Sequence, residues 1–600
     1  MKKVSLFFAV AALCFIAACA KKEVPENPSV SGNVFYIHAD GDVNTKAEID
    51  GTSAAFTWSA GDQIAVYTSD GYKKSIALTE GGSASASFAF DEDIDDARAD
   101  FALFPASLVF DGDTPRGCAS EHTADELDIV VPDSYTLAQV QGDASPVYMV
   151  AANAPGDPLA FKQMGALLRI KVQYIPKDAQ TLKVTFPGQK VQGLFALFDF
   201  AAGDGIPAED GDEDTITITD LGISEFTDAL IINIPVPCGV DAKYVRVGAY
   251  DSTDHKINSI DVPIKEVESV PTAWKPARKA ARKVVASLPY FTSNGKTKKK
   301  VVFAPGNLQA TILTVATSSS TVGSASSWRF AEHQYDALGD CSGNKFENIG
   351  DDIDLFAWIG NSATQTFEDD QKYGVIWPVA NSSTPPAARF GEVQGEYIKY
   401  DWGSLFNGTT YPADTWRLPN GDKEEDDTYT EWERLINKRS YTYICAKATI
   451  KANNSETIIA RGLVVFPDTF ALPYGFSTTT NGGELQGYAK DASTGTHYAD
   501  NIMTLAMWEL LEEKGGCAFL PVTSDRIRSS GANTSTNVGD AAYWANYSSA
   551  DDVRYAIALI SSDANLCTSS LNGSSKTQIV AKRNVNRSCG LAVRLIRDVN

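Results

Sequence analysis

After its first nineteen residues the chain has no run approaching the ~18 consecutive apolar residues of a membrane-spanning helix. It has only five histidines, His38, His122, His255, His333 and His497. None stands in an H-E-x-x-H arrangement or at metal-ligand spacing, which argues against a zinc hydrolase. Nine cysteines include no C-x-x-C pair, so a zinc ribbon and a thioredoxin-type site are unsupported. G-x-S-x-G and P-loop motifs are absent as well. No catalytic constellation is legible, and the expectation is a protein that is not an enzyme.

Acid is in excess. Asp and Glu number 76 against 52 Lys and Arg, a formal charge of −24, and 91–100 alone holds six acids. That balance disfavours nucleic acid as a partner. Hydrophobic content of 44% with 10% aromatic residues is ordinary for a globular protein. Six hundred residues exceed one core and suggest three or four domains.

The first residues read MKKVSLFFAVAALCFIAAC. Lys2 and Lys3 precede a short apolar stretch, the layout of a secretory signal. Ile16-Ala17-Ala18-Cys19 resembles a bacterial lipobox, which implies cleavage between Ala18 and Cys19 and acylation of the Cys19 thiol. One acyl chain anchors only marginally, at roughly 0.8 kcal/mol per buried methylene; the three chains of a mature lipoprotein hold for good. Residues 1–18 are thus expected to be signal peptide, and 19–32, polar and rich in Pro and Ser, a lipidated tether.

From Asn33 to about Val285 short Val/Ile/Phe/Tyr runs alternate with turns: NVFYIHA, DQIAVYTS, SASFAF, LLRIKVQYI, TITITD, ALIINIPVPCG and YVRVGAYDS. Such spacing without intervening helices predicts β-sandwiches. The APGDP turn at 154–158 suggests a boundary, giving sandwiches at 33–155 and 156–275. Between Lys275 and Lys300 lie nine basic residues and no acidic one. This stretch, 276–300, reads as a solvated basic linker, with an anion-binding arm or protease site as the alternative.

Residues 301–600 are mixed. KKVVFAP predicts an opening strand. TEWERLINKR predicts a helix at 430–439, capped by Thr430 and Glu433 and burying Trp432, Leu435 and Ile436. A second helix is expected over 501–514, with Leu505, Trp508 and Leu511 inward and Gly515-Gly516 as its stop. In the closing SCGLAVRLIRDVN, Leu591, Val593 and Leu595 share one strand face.

Two resemblances accompany this pattern. TKAEIDGTSAAFTWSAGDQIAVYTSDG (45–71), FALFPAS, DSYTLAQVQGDASPVYMVA, LAFKQMGALLRIKV, GLFAL and IPVPCG follow in order and resemble the fimbrillin family of lipoprotein-routed adhesins. The resemblance implies two all-β transthyretin-like sandwiches, in which Trp58 and the Gly61-Asp62 turn fix a strand corner, and often assembly into fimbriae. It also implies an arginine for processing near the first strand, and here none precedes Arg98. From 301 onward, VVFAPGNLQAT, WRFAEHQYDALGD, DLFAWIG, YDWGS, TWRLPNGDKEEDD, GLVVFPDTF, WELLEEKGGCAFLP, AAYWANYSS and GLAVRLIRD resemble the FISUMP-type surface domain. That resemblance implies an α+β fold like that of C-type lectins and formylglycine-generating enzymes.

The latter enzymes use a close cysteine pair; Cys567 and Cys589 are 22 residues apart and read as core or disulfide residues. The sugar-binding signatures of calcium-dependent lectins are missing. The acidic clusters Asp351-Asp352-Ile353-Asp354 and Glu424-Glu425-Asp426-Asp427 are read first as solvated loops, with calcium as the alternative. Asp210-Gly-Asp212 starts like a calcium loop and lacks its Gly and Glu. His333 reads as a partly buried structural residue. Binding needs no metal where Ser, Asn and Gly surround aromatics and arginines, as in 522–550. There Arg526, Arg528, Asn546 and Tyr547 form the candidate ligand surface, and Trp544 is expected in the core. The chain as a whole reads as an outer-membrane lipoprotein on the cell surface, a non-catalytic adhesin for a glycan or a partner protein. A structural fimbrial tip or anchor subunit that docks other subunits is the alternative, and a polysaccharide-processing enzyme comes third.

Overall fold

A computed structural model describes residues 34–39, 58–68, 70–83, 85–91, 94, 99–116, 126–142, 146–152, 159–198, 213–276, 280–314, 324–338, 349–356, 401–421, 427–487, 489–491, 495–497, 500–523, 525–528, 534–537, 541–546, 553–559, 579–586 and 590–600. The described chain is mostly β-strand in several sheets, with few helices. Each strand run quoted above forms a strand. Among the described residues no helix is long and apolar enough to cross a membrane.

The N-terminal sheet orders seven strands as Gly71–Lys74, Ala65–Thr68, Ala99–Phe104, Met149–Ala152, Leu159–Gln163, Val34–Ala39 and Ser85–Ala89. Alternation along Ala99–Phe104 sends Phe101 and Leu103 to one face and Ala102 and Phe104 to the other. Both faces are covered. On one, Trp58 meets Phe88, Phe104 and Phe161 edge-on at 5.0, 5.0 and 5.7 Å. The corner expected at Trp58 is present: Gly61 has φ 93°, and Ser59 donates its N–H to the Asp62 carboxylate at 2.7 Å. The other face is covered by the antiparallel pair Glu126–Val131 and Gly193–Phe198, which brings Ile129, Val131 and Phe195 onto Phe101 and Leu103.

The middle of the chain places two sheets over one core. Thr227–Val236, Ala166–Ile175 and Ala281–Ser287 form one; Lys256–Pro263, Tyr244–Tyr250, Thr181–Thr185, Thr215–Thr219 and Ser134–Thr136 form the other. Leu168, Ile170, Val172, Ile232 and Ile234 face Leu182, Val184, Ile216, Ile218, Val245 and Val247 between them. Pairing therefore reaches across residue 155 twice, through Ser134–Thr136 with Thr215–Thr219 and through Glu126–Val131 with Gly193–Phe198. The buried hydroxyls of Tyr135 and Tyr148 touch where the two cores meet. The basic stretch is no simple tether either. Ala281–Ser287 runs parallel to Ala166–Ile175 as a strand, because Val284 and Ala286 alternate into the core.

Past that strand, Lys300–Phe303 pairs with Ile596–Asp598, joining the opening and closing segments of the C-terminal unit. A four-stranded sheet orders Asp500–Thr504, Cys445–Lys451, Ile458–Val465 and Ala518–Pro521. Cys445, Leu463, Val465 and Leu520 look into one core with Trp432, Tyr543 and Trp544. Ala446, Ile450, Val464 and Phe519 look into another with Trp508 and Leu511. The capping box at Thr430 and Glu433 is present, and Trp432, Leu435 and Ile436 are buried. Only Glu431–Glu433 is α-helical; Arg434–Lys438 widens into a π-helix. The second helix is shorter than expected. Asp500–Thr504 is a strand pairing with Cys445–Lys451, and the helix Leu505–Glu513 starts at the Thr504 cap, whose Oγ1 accepts the Met507 N–H. Cys445 and Cys517 are buried, and Cys238 is half-buried.

Candidate functional site

Of the stretch expected to carry recognition, Asn546 lies against one buried carboxylate, Asp401. Asp401 accepts the N–H of Gly403 at 2.9 Å, that of Leu418 at 2.9 and 2.8 Å, and the Asn546 side-chain amide at 3.2 Å. Burial pushes the Asp401 carboxyl above the usual range, against these hydrogen bonds. The segments 401–421 and 541–546 are further tied by Gly421 N–H to the Asn546 carbonyl and Asn546 N–H to the Pro419 carbonyl, both at 2.9 Å. Asn546 thus acts locally as a clasp between two loops.

Beneath it, Tyr543 and Trp544 are fully buried, the core place expected of Trp544. The Trp544 indole donates to the Phe356 carbonyl at 2.8 Å, and the Tyr543 hydroxyl donates to the Pro521 carbonyl at 2.6 Å. Arg526 and Arg528 lie in the strand Asp525–Arg528, which pairs antiparallel with Thr534–Asn537. Tyr547, Ala18, Cys19, Cys567 and Cys589 lie outside the described residues, as do Glu424 to Asp426 and Asp210 to Asp212.

In the acidic clusters, Asp352, Asp354 and Asp427 are engaged by protein donors. Asp352 pairs with Arg329 at 2.8 Å and accepts the Thr311 hydroxyl at 2.8 Å. Asp354 is buried and accepts the Leu338 N–H at 2.8 Å. Asp427 pairs with Arg434 at 2.6 Å and accepts the Gly295 N–H at 2.8 Å. No group of three or more potential metal ligands occurs among the described residues. His333 is exposed, a correction to the partly buried place expected, with its ring stacked on Tyr335 at 5.0 Å. Stacking on a neighbouring ring orients it without burying it.

Two charge clusters, one half-buried and one buried, were missed. Arg417 makes a two-pronged contact with Glu431 at 2.6 and 2.7 Å and reaches Asp598 at 2.6 Å, with Lys299 3.7 and 3.5 Å from the two acids. Arg597, on the closing strand, is 1% exposed and donates at 2.8 Å to Asp251 of the middle sandwich. Arginines alternating with apolar residues in GLAVRLIRD were the available signal. Asp598 lies 181 residues from Arg417 and Asp251 lies 346 from Arg597, and neither acid is marked as a partner in the sequence.

No family model matches the chain, and no curated protein does. Solved structures match at low similarity. A candidate cell adhesion protein from Bacteroides ovatus is 11% identical, covering 43% of this chain and 93% of its own, with a TM-score of 0.26. One from Bacteroides uniformis is 12% identical over 44% and 94%, with a TM-score of 0.25. The tip fimbrial protein Mfa3 from Porphyromonas gingivalis, truncated at its C-terminus, is 10% identical over 42% and 94%, with a TM-score of 0.20. Scores this low carry no argument about function.

Proposed function

We propose that this protein is a lipid-anchored adhesin of the outer bacterial surface that binds a glycan or a partner protein through loops of its C-terminal unit. Cys19 is the anchor in this reading, the two β-rich units are the stalk, and Arg526, Arg528, Asn546 and Tyr547 border the ligand. The observation that carries it is the Asp401–Asn546 clasp. A buried carboxylate with three donors spends its acceptor capacity on holding two loops, not on proton transfer, and gives the loops a firm base.

The test is binding of the mature chain to host and microbial glycan panels, with calcium and with chelator. Selective binding, weakened on the order of tenfold by Arg526→Ser with Arg528→Ser, is expected. No binding in either buffer, together with recovery of the protein in assembled fimbriae, overturns the adhesin reading in favour of a structural subunit.

A further inference from the structure

Where the middle sandwich meets the C-terminal unit, aromatic rings gather from separate segments. Tyr174 lies near the end of Ala166–Ile175, Phe226 precedes Thr227–Val236, and Tyr290 follows Ala281–Ser287. The Tyr174 and Phe226 rings are 6.3 Å apart and near-parallel, at 24°. Tyr290 stands edge-on to both, at 5.2 and 5.9 Å. The Lys300 ammonium sits 3.9 Å from the Phe226 centroid and 5.5 Å from that of Tyr290. Burial pushes the Tyr290 phenol up, and its neighbours Asp468, Tyr441, Tyr174 and Asp228 push it further. A fourth ring, Tyr441, therefore belongs to the same cluster, brought by the loop past the π-helix.

The cluster is open to solvent. Tyr174, Phe226 and Tyr290 are half-buried, Tyr441 is 46% exposed, and Asp228 is exposed. Phe226 and Tyr290 rest on the sandwich core, which fixes their positions. Tyr174 has φ 63°, an uncommon backbone for an aromatic residue. The ladder passes over it, pairing Gln173 with Ala229 and Ile175 with Thr227. Strain of this kind gathers at ligand sites.

We propose that this cluster binds sugar rings of an uncharged glycan. Tyrosine faces pack against sugar C–H groups, and phenol hydroxyls, the Lys300 ammonium and the Asp228 carboxylate exchange hydrogen bonds with sugar hydroxyls. Lys300 and Asp228 form no ion pair among the described residues, so both are available for this. Other ligand classes fit less well. An organic cation finds the place over Phe226 taken by Lys300. An anion meets Asp228 and Asp468 beside Tyr290. A purely apolar ligand leaves hydroxyls and charges unmatched. Four partly buried rings expose on the order of 300 Å², short of the roughly 800 Å² that a protein partner covers. The seam between two units is a common place for such a site. The proposal is independent of the loop-borne recognition above and uses none of its residues.

The test titrates the mature chain with dextran, mannan and xylan as uncharged probes, against polygalacturonate and tetramethylammonium. Expected is binding to at least one uncharged polysaccharide, little changed by salt, that falls on the order of tenfold in Tyr441→Ala. Tyr441→Phe keeps the ring and stays within about twofold, and Asp228→Ala loses several-fold. Melting temperatures are measured alongside. Tyr441 and Asp228 are solvent-facing, so Tyr441→Ala and Asp228→Ala are expected to melt as the wild type does. Binding to none of the three polysaccharides overturns the proposal, as does binding that Tyr441→Ala keeps. A preference for tetramethylammonium or polygalacturonate overturns it too. Loss caused by Arg526→Ser with Arg528→Ser, and not by Tyr441→Ala, assigns the sugar to the loops and overturns this site alone.

Discussion

Asp427 has almost no exposed side chain, and burial alone raises such a carboxyl. Hydrogen bonds from Arg434, Gly295 and Tyr429 outweigh that and hold it at about 2, against an ordinary value near 3.8. A depressed carboxyl contributes stability above its unfolded value and loses it as pH falls through the folded one. The shift corresponds to roughly 2 kcal/mol. Wild-type protein should therefore lose this contribution between about pH 4 and pH 2, while Asp427→Asn, less stable at neutral pH, shows a flatter profile there. Urea unfolding across that range measures it, and parallel profiles for the two proteins would show that the ion pair contributes nothing. The capped helix start at Thr430, also legible in the sequence, stands three residues away and presents Arg434 to this acid.

At the scale of elements, the short helix Trp402–Leu405 is wedged under the loop that follows it. A Cβ on Gly403 would stand 1.7 Å from the Trp416 carbonyl oxygen, a backbone atom that cannot swing aside. Gly403→Ala is expected to cost several kcal/mol by forcing the Asp401 clasp open. Calorimetry of the variant should show a lowered melting temperature, and an unchanged one would mean the loops have slack. Strand placement was readable because apolar alternation has period two and the core sits on known faces. The strand Asp500–Thr504 was misread as helix because Ile502 and Met503 also suit the helical pattern that continues through Trp508. Pairing with Cys445–Lys451 decided it, since a sheet ladder satisfies the backbone before the Thr504 cap starts the helix.

The middle sandwich and the C-terminal unit share their interior. Val302 and Val599 belong to the sandwich core, and the Lys177 N–H donates to the Val599 carbonyl at 3.0 Å. Arg597 grips Asp251 in the turn 251–255, whose His255 ring rests on Tyr411 at 4.2 Å. Arg246 reaches Glu513 at 2.9 Å, and Lys514 stands over Tyr244 at 4.5 Å. The two should melt together. Arg597→Met strands a buried carboxylate, a loss of roughly 3–5 kcal/mol, and should split one calorimetric transition into two. Adding Asp251→Asn removes the stranded charge and should recover much of the loss. Two transitions already present in the wild type would refute the coupling.

Local chemistry determined much by itself: strand positions, the Trp58 corner, the Thr430 cap, and the burial of Trp432, Trp508 and Trp544. Each depends on spacing within about ten residues, where backbone geometry leaves few choices. The signal and lipobox reading is equally local and belongs to residues outside the described structure. Only the tertiary structure decided that Glu126–Thr136 serves two sheets, that a basic stretch is a core-lining strand, and that Arg597 finds Asp251. Those outcomes turn on pairing between distant segments, where many acids are equivalent in sequence and one is near enough in space to compensate a buried guanidinium.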